Sequence, residues 1–232
     1  MGDYRDQFNF IYLEHSRQKS VSGVYFCHMA YLVLVRHGES EWNAKGLWTG
    51  WTDIGLSDKG REEAKKAGGA LKDITFDAAF VSKLKRAKET LEEMESVWGH
   101  KIIPLYEDQA LNERDYGDLT GKNKWAIKEE YGEEQFLQWR RGWDFPVPGG
   151  ETLKDVYSRV VPFYQEKVLP EVQDGKNVLI SAHGNSLRAL VKYLETISDK
   201  DISGLEIATG EVYLYQLDNK GKIVKKEIRT TA

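Results

Sequence analysis

The sequence predicts a three-layer α/β/α fold, with a mostly parallel central sheet and helices on both of its faces. Four consecutive apolar residues, 32–35, form one predicted strand, and a similar apolar run at 177–182 forms another. Strands that are apolar on both faces are typical of parallel sheets buried between helices. A helix is predicted after position 152, because apolar residues recur there at helical spacing: Leu153, Val156, Val160, Phe163 and Val168.

The composition limits the class of protein. At 232 residues and 41% apolar content, the chain can bury one large core, and a single α/β domain is the simplest interpretation. The net charge of −4 argues against binding to nucleic acid or to a membrane surface, so an anion site must be a local concentration of Arg and Lys. Cys27 is the only cysteine, which excludes a disulfide framework and favours a cytoplasmic location.

The first 28 residues differ from the remainder. They show no clean periodicity, and they lack the basic start and apolar block of a secretory signal. Because Met29 directly precedes the first strand, we predict that residues 1–28 are an N-terminal extension outside the core. Residues 29–232 then form the domain. A docking or regulatory arm is the alternative for the extension.

Two predicted strands each end in a histidine followed by a glycine. Arg36, His37 and Gly38 follow the first strand, and His183 and Gly184 follow the strand at 177–182. If these strands are neighbours, the two imidazoles meet at the carboxyl edge of the sheet, where ligands bind in such folds. The glycines allow close approach to a ligand, and the helix start that follows offers N–H groups to an anion. One isolated histidine would be a core residue, whereas the repeat beside an arginine favours a phosphate site.

The next loop, 47–53, contains two tryptophans. We predict that Trp48 and Trp51 pin this loop by packing. Asn43, Thr49 and Gly50 then remain free to offer hydrogen bonds to a ligand.

Two helices and two strands are predicted between this loop and position 105. Ser57 is a good N-cap for the first helix, and 78–81 forms the second strand. The next helix opens at Ser82, and Arg86 lies in its first turn, where a cation opposes the helix dipole and therefore suggests a nearby anion. Residues 101–105 predict a short third strand.

The second half of the chain contains a long polar loop and more helices. Residues 111–124 are dense in charge and glycine, and long ordered loops of this kind are usually functional. A helix over 133–143 carries Arg140 and Arg141 between two tryptophans, which is either a surface pair or a clamp for a carboxylate or phosphate. Thr152 caps the long helix. The last two strands are predicted at 212–217 and 222–228.

Several ordered motifs together resemble the histidine phosphatase superfamily and, within it, the 2,3-bisphosphoglycerate-dependent phosphoglycerate mutases. The motifs are Arg36-His37-Gly38-Glu39-Ser40, Thr49-Gly50-Trp51, Ser82-x-Leu84-x-Arg86-Ala87, Leu111-Asn112-Glu113-Arg114-x-Tyr116-Gly117, Trp139-Arg140-Arg141 and His183-Gly184-Asn185-Ser186-Leu187-Arg188. Arg-His-Gly marks only the superfamily, whereas the others in combination are specific to the mutases. By this resemblance, residues 29–232 are a phosphoglycerate mutase-like catalytic domain.

The resemblance implies interconversion of 3-phosphoglycerate and 2-phosphoglycerate in glycolysis and gluconeogenesis. It implies His37 as the nucleophile that carries the phosphoryl group and Glu113 as the general acid/base. The groups implied to stabilise the phosphoryl group are Arg36, Arg86, His183 and the Gly184 amide. The substrate-binding residues implied are Asn43, Thr49, Gly50, Tyr116, Lys124, Arg140, Arg141, Gly184 and Asn185. The cofactor implied is 2,3-bisphosphoglycerate, which primes phospho-His37, and no metal is expected.

A lid is predicted over the site from residues 123–143. The chain departs from the family in a short connection at 144–152 and in Val81, where the family often has threonine. We expect small phosphoglycerates as partners, neither nucleic acid nor membrane, and we leave a homo-oligomer open.

Two other functions stay open beside the mutase. The short connection slightly favours a cofactor-independent histidine phosphatase, but the basic residues at 124, 140 and 141 speak against it, because a broad phosphatase need not grip a carboxylate. An inactive phospho-ligand scaffold would lack one of the catalytic residues, and none is missing. For Glu113 alone, a salt bridge with Arg114 is the structural alternative.

Overall fold

The structure is a computed structural model that describes residues 29–102 and 104–229. The predicted extension, 1–28, lies outside the described residues, so its role stays a prediction. The division of the chain at residue 29 stays a prediction for the same reason. In the described part of the chain, no helix combines the length and the apolar character needed to cross a membrane.

The described residues form a single six-stranded sheet with helices on either side. The strands are β1 (Ala30–Arg36), β2 (Ala78–Ser82), β3 (Leu105–Asp108), β4 (Val178–Ala182), β5 (Val212–Leu217) and β6 (Ile223–Arg229). The α-helices are α1 (Glu41–Ala44), α2 (Asp58–Ala70), α3 (Lys85–Trp98), α4 (Lys124–Arg141), α5 (Leu153–Phe163), α6 (Leu169–Gln173) and α7 (Gly184–Leu194). A π-helical turn, Tyr164–Val168, joins α5 to α6.

The strand order is β3-β2-β4-β1-β5-β6. The first four strands in this order are parallel, and β5 and β6 are antiparallel to their neighbours, so the predicted mostly parallel sheet is confirmed. β1 and β4 are direct neighbours, with Arg36 opposite Ala182. His37 and His183 each follow the last of these residues, so both leave the sheet at the same carboxyl edge.

Successive residues of β1 point to opposite faces of the sheet, as the period of a strand requires. Leu32 and Leu34 belong to a core cluster with α5 and α7. Val33 and Val35 belong to a second cluster with α2 and α3. All four side chains are buried, which confirms the predicted three layers. A separate aromatic cluster around Trp48 packs under α4.

The predicted helix caps at Ser57 and Thr152 are confirmed. The Ser57 side chain accepts from the Gly60 N–H at 3.1 Å, and the Thr152 side chain accepts from the Asp155 N–H at 3.1 Å. The helix after β2 begins at Lys85 rather than at Ser82, because the Ser82 hydroxyl accepts from the Leu84 N–H and shapes the turn before the helix.

Two predicted elements are misplaced. The third strand was predicted at 101–105 but is Leu105–Asp108, an edge strand in which Leu105 and Tyr106 are about half exposed. Its position follows from pairing with β2 rather than from its own apolar pattern. The predicted helix 133–143 is the second half of α4, which begins at Lys124 and is interrupted at Gly132 (φ 82°, ψ 164°), a conformation open essentially to glycine alone.

Candidate active site

The two predicted histidines meet above the carboxyl edge of the sheet. The ring centroids of His37 and His183 lie 4.9 Å apart at an angle of 61°. Both rings are buried, with His37 2% and His183 0% exposed. The adjacency inferred from the repeated strand-to-helix corner is therefore confirmed.

Hydrogen bonds determine which nitrogen of His37 is free to react. Its Nδ1 lies 2.6 Å from the Gly38 carbonyl oxygen, which can only accept, so Nδ1 carries the proton. Nε2 therefore keeps its lone pair, and the Arg86 Nε–H donates to it at 3.3 Å. Burial, followed by the charges of Arg86 and Arg36, holds the His37 pKa well below its usual 6.5. The imidazole is thus a neutral base with Nε2 turned toward a guanidinium.

Arg86 is itself held by main-chain oxygens. Its two terminal nitrogens donate to the carbonyls of Gly50 (2.9 Å) and Thr52 (3.1 Å), which ties the loop after α1 to α3. Burial lowers the pKa of Arg86 to about 10, so it stays charged at neutral pH. Thr90, one turn later, accepts from the Gly38 N–H and donates to the Arg86 carbonyl. It therefore links the strand that carries His37 to the helix that carries Arg86.

Gly38 serves packing rather than ligand approach. A Cβ on Gly38 would lie 2.1 Å from the Gly60 carbonyl oxygen, so no other residue fits against α2 there. The sequence-based interpretation of this glycine as a ligand contact is corrected accordingly. Gly184 is different: a Cβ there would lie 3.5 Å from the Arg36 guanidinium carbon and 3.6 Å from the Glu113 carboxylate. Its missing side chain leaves space between those two groups.

His183 is oriented by Ser82 and Asn112, two motif residues to which the sequence analysis assigned no role in the site. Its Nε2 lies 2.7 Å from the Ser82 hydroxyl, which in turn donates to Asn112 Oδ1 at 2.9 Å. Burial, then the charges of Arg86 and His37, lowers the pKa of His183 well below 6.5. The buried His183 Nδ1 has no hydrogen-bond partner among the described residues.

The Glu113 carboxylate sits at the N-terminus of α7. Its Oε1 accepts from the Asn185 N–H at 3.1 Å and from the Arg114 main-chain N–H at 2.8 Å. The Arg114 guanidinium instead donates to the carbonyl oxygens of Trp139 and Arg140. The salt bridge considered as the alternative for Glu113 is therefore not the arrangement found between these described residues.

The main chain around Glu113 is braced by Arg159 of α5. The Arg159 guanidinium donates to the carbonyls of Ala110 (2.7 Å), Asn112 (3.0 Å) and Glu113 (3.0 Å), and its charge is paired with Glu151 at 2.8 Å. The Trp51 indole N–H also donates to the Glu113 carbonyl, at 2.6 Å.

Trp51 and Trp48 hold their loop in different ways. The prediction that Trp51 pins the loop by packing is wrong. Its ring is 36% exposed, and it holds the loop by its hydrogen bond instead. Trp48 is buried, as predicted.

One cleft, with about 670 Å³ of space out to its open mouth, collects nearly all of the predicted site residues. Those lining it are Arg36, His37, Asn43, Thr49, Gly50, Arg86, Glu113, Tyr116, Lys124, Arg140, Arg141, Gly184 and Asn185. His183 lies behind them against the His37 ring. Lining residues that were not predicted are Trp48, Arg188, Glu206 and Ile207.

The outer side of the cleft is basic and less deeply buried. Arg141 lies 2.7 Å and Arg140 3.7 Å from Oε1 of Glu206. The Lys124 Nζ lies 5.9 Å from the centroid of the Trp48 ring. The pKa of Lys124 is lowered to about 8, mainly by burial and then by the charges of Arg140 and Arg36. These three cations therefore line the same cleft as His37.

Hydrogen bonds also preset the polar floor of the cleft. The Asn185 amide donates to the Tyr116 hydroxyl at 2.9 Å, and its oxygen accepts from Arg188 at 2.9 Å. Asn43 Oδ1 accepts from the Ser40 N–H and hydroxyl at the start of α1. A motif residue, Arg188, thus belongs to the site although it was not proposed, and its place after His183 in the matching motif was the signal available.

Several buried donors in the cleft lack partners among the described residues. They are the Arg36 Nε, the Trp48 Nε1, the Thr49 hydroxyl and the Arg188 Nε. Buried polar groups are normally paired, so these atoms call for a ligand that brings acceptor oxygens. Phosphate and carboxylate groups bring only acceptors at neutral pH, and each of these four groups can donate.

Comparisons with known proteins agree on the family. Residues 32–228 match the histidine phosphatase superfamily (branch 1). The chain is 51% identical over 199 residues to the 2,3-bisphosphoglycerate-dependent phosphoglycerate mutase of Parvibaculum lavamentivorans, covering 85% of this chain and 95% of that protein. It is 52% identical over 192 residues to the protein of the same name from Cytophaga hutchinsonii, covering 83% and 90%.

Solved structures with the same fold include proteins of other activities. Bacillus stearothermophilus YhfR superposes with a TM-score of 0.73 at 29% identity, covering 84% of this chain and 94% of that one. The alpha-ribazole phosphatase from Shigella flexneri superposes with a TM-score of 0.72 at 26% identity, covering 87% and 97%. Together with the sequence relatives, these matches show that this chain belongs to the histidine phosphatase superfamily and, within it, to the 2,3-bisphosphoglycerate-dependent phosphoglycerate mutases.

Proposed function

We propose that this protein interconverts 3-phosphoglycerate and 2-phosphoglycerate, in glycolysis and gluconeogenesis, and that His37 carries the phosphoryl group between turnovers. The observation that carries the proposal is one cleft lined by a neutral imidazole together with Arg140, Arg141 and Lys124. A nucleophile for phosphorus thus shares a cleft with cations suited to a carboxylate. Identities of about 50% to proteins named as such mutases support this substrate.

His37 acts as the nucleophile through Nε2. The lone pair of this atom forms the N–P bond while the bond from phosphorus to the departing oxygen breaks. The other proton stays on Nδ1, hydrogen-bonded to the Gly38 carbonyl. A neutral imidazole is required for this step, and the lowered pKa of His37 keeps it neutral across the physiological range.

The guanidiniums of Arg36 and Arg86 stabilise the charge on the transferring group. Phosphoryl transfer spreads negative charge over the equatorial oxygens, and fixed cations in a buried site stabilise it best. Arg86 is held by main-chain carbonyls, and the Arg36 guanidinium donates to the Ile207 carbonyl at 2.5 Å while its Nε is left for a ligand. His183 and the Gly184 amide complete this cage.

Glu113 moves the proton at the substrate oxygen. In its carboxylate form it takes the proton from the hydroxyl that attacks phospho-His37, and it returns a proton to the oxygen that leaves in the reverse transfer. Its carboxylate lies beside the space left by Gly184, which the Arg36 guanidinium also borders. The brace from Arg159 and Trp51 keeps it there.

The remaining lining residues hold the rest of the substrate. Arg140, Arg141 and Lys124 bind its carboxylate and distal phosphate, and the cradle is completed by Asn43, Thr49, Gly50, Tyr116 and Asn185. These unpartnered donors fit 2,3-bisphosphoglycerate, which brings three anionic groups. When bound, this cofactor supplies the phosphoryl group that primes His37. Helix α4 contributes Lys124, Arg140 and Arg141 to the lining, and we propose it as the lid that limits access of water to phospho-His37.

An enolase-coupled assay tests the activity. With 3-phosphoglycerate as substrate, we expect turnover that rises sharply when trace 2,3-bisphosphoglycerate is added. Release of inorganic phosphate is followed in the same samples. Steady phosphate release without product for enolase would indicate a histidine phosphatase instead of a mutase. Absence of both signals would indicate an inactive scaffold.

Labelled cofactor tests the nucleophile. Protein treated with ³²P-labelled 2,3-bisphosphoglycerate should retain an acid-labile, base-stable label, and His37→Ala should retain none. Label on His37→Ala would overturn the assignment. The prediction that no metal takes part is tested by adding a chelator, which should leave turnover unchanged. Cytoplasmic location stays a prediction of the sequence, and a homo-oligomer stays open.

A further inference from the structure

Glu206 brings a partly exposed carboxylate to the lining of the cleft. A single oxygen, Oε1, lies 2.7 Å from Arg141 and 3.7 Å from Arg140. The Glu206 pKa is lowered by its hydrogen bond with Arg141, so the group is ionised at neutral pH. The two guanidiniums proposed to bind the substrate carboxylate therefore already share a carboxylate that belongs to the protein.

The segment that carries Glu206 is attached to the site on both sides. The Leu205 carbonyl accepts from Arg141 at 3.4 Å, and the Ile207 carbonyl accepts from Arg36 at 2.5 Å. The Glu206 side chain itself is 59% exposed. Its main chain is thus held in place while its side chain has free space to rotate outward.

We propose that Glu206 is a specificity-determining residue whose carboxylate competes with the substrate carboxylate for Arg140 and Arg141. The inference rests on the proposed function, because it takes these arginines as the carboxylate site. A ligand with a carboxylate has to displace Glu206 in order to bind there. A phosphorylated ligand without a carboxylate leaves Glu206 on the arginines.

The size of the effect follows from the exposure of the pair. Exposed ion pairs are weak because water screens them and the side chains lose freedom, so their displacement changes an affinity by about two- to fivefold. Glu206 thus weakens binding of the carboxylate end without preventing it. The same contact speeds product release, since it re-forms as the product carboxylate leaves.

The test compares Glu206→Gln and Glu206→Asp with the wild type in calorimetric binding of 3-phosphoglycerate and of glycerol 3-phosphate, which lacks the carboxylate. For Glu206→Gln we expect about two- to fivefold tighter binding of 3-phosphoglycerate and unchanged binding of glycerol 3-phosphate. Glu206→Asp should behave like Glu206→Gln, because the shorter side chain keeps the charge but loses the reach.

Asp199→Asn is the matched control. Asp199 is also exposed and ion-paired, to Lys192 at 2.7 Å, but it does not line the cleft, so its loss should change neither affinity. If Glu206→Gln gains the same affinity for both ligands, the wild-type carboxylate acts by general charge repulsion. If Glu206→Asp binds both ligands as the wild type does, the negative charge matters and the contact with the arginines does not. Either result, or no gain at all, overturns the inference.

Failure of this inference and failure of the proposed function are distinguishable. The binding measurement needs no turnover, whereas the enolase-coupled assay on the wild type needs no variant. If the wild type turns over 3-phosphoglycerate and Glu206→Gln binds both ligands with unchanged affinity, only the proposed role of Glu206 is overturned. A wild type without turnover sinks the proposed function itself.

Discussion

The inner and outer walls of the cleft are built in opposite ways. On the inner wall, His37, His183 and Arg86 are at most 2% exposed, and each is held by hydrogen bonds within the described chain. On the outer wall, the side chains of Arg140 and Glu206 are 38% and 59% exposed. We thus assign the chemistry to desolvated, preset groups and the recognition to side chains that are more exposed, of which Arg141, at 19%, is the most buried of the ion-paired three.

The backbone under each wall explains the difference. The inner wall follows two adjacent strands of the sheet, whose register leaves little freedom. On the outer wall, Arg140 lies on α4, which is interrupted at Gly132, and Glu206 lies on the segment before β5. Burial shifts pKa values strongly on the inner wall, and preset dipoles and charges act most strongly in such a buried place. Exposed pairs on the outer wall can exchange a protein carboxylate for a substrate one.

The largest expected effect tests the inner wall. Arg86→Met should lower kcat by about 10²–10³-fold, because a charge aimed at the transferring phosphoryl group is lost, while KM changes little. Steady-state kinetics in the enolase-coupled assay measure both constants. Arg86→Lys is the control and should lie between, since it keeps a charge without the planar fork. A loss confined to KM would contradict the division between the walls.

The second prediction concerns pH and the two buried histidines. Both pKa values are lowered by burial, so below pH 6.5 the unfolded chain binds protons that the native state does not. Stability rises with pH where the unfolded state holds more protons, so the free energy of unfolding should fall as pH drops below 6.5. The slope is up to about 1.4 kcal/mol per pH unit for each histidine.

Urea unfolding between about pH 5 and pH 7.5 measures this dependence. The variant His183→Gln should lose one histidine's share of the slope, and the exposed His100 replaced by Gln is the control that should leave it intact. An unchanged slope in His183→Gln would show that the inner wall is not desolvated as described.

The third prediction tests the outer wall. Arg141→Gln should raise KM for 3-phosphoglycerate about tenfold and leave kcat within a few-fold, because a charge-assisted contact to the carboxylate is lost in substrate and transition state alike. The same kinetics measure it. A fall in kcat as large as that of Arg86→Met would place Arg141 in the chemistry and break the comparison.

The smallest effect is expected from Lys124. Its pKa of about 8 means that it loses its charge as pH rises through 8, so KM should rise severalfold between about pH 7 and pH 9. Lys124→Arg should flatten this rise, because arginine stays charged throughout. The pH profiles of kcat/KM for the wild type and Lys124→Arg test this prediction. Identical profiles would show that the charge of Lys124 does not contribute to substrate binding.

Local pattern was enough for most of the fold. The strands β1, β4 and β5 are apolar on both faces, so a residue-by-residue pattern locates them. It fails where exposure hides the pattern. β3 is a half-exposed edge strand, and the first half of α4 is largely exposed and ends at a glycine that interrupts the helix.

The candidate site divides along the same line. Motif residues such as His37, Glu113 and Arg141 could be proposed, because each stands in a short recognisable segment. Arg159 and Glu206 could not, since they act through partners far along the chain. Arg159 binds the Glu113 carbonyl 46 positions away, and His183 meets Ser82 101 positions away.

The sequence by itself determined the sheet, its buried strands and the two histidine corners, because periodicity and short motifs are local properties of a chain. Only the tertiary structure decided that Nε2 of His37 is the unprotonated nitrogen and that the Arg114 guanidinium turns away from Glu113. It also decided that the Glu206 carboxylate already contacts Arg140 and Arg141. Those features depend on hydrogen bonds and burial between residues that are distant in sequence, and such contacts exist only once the chain has folded.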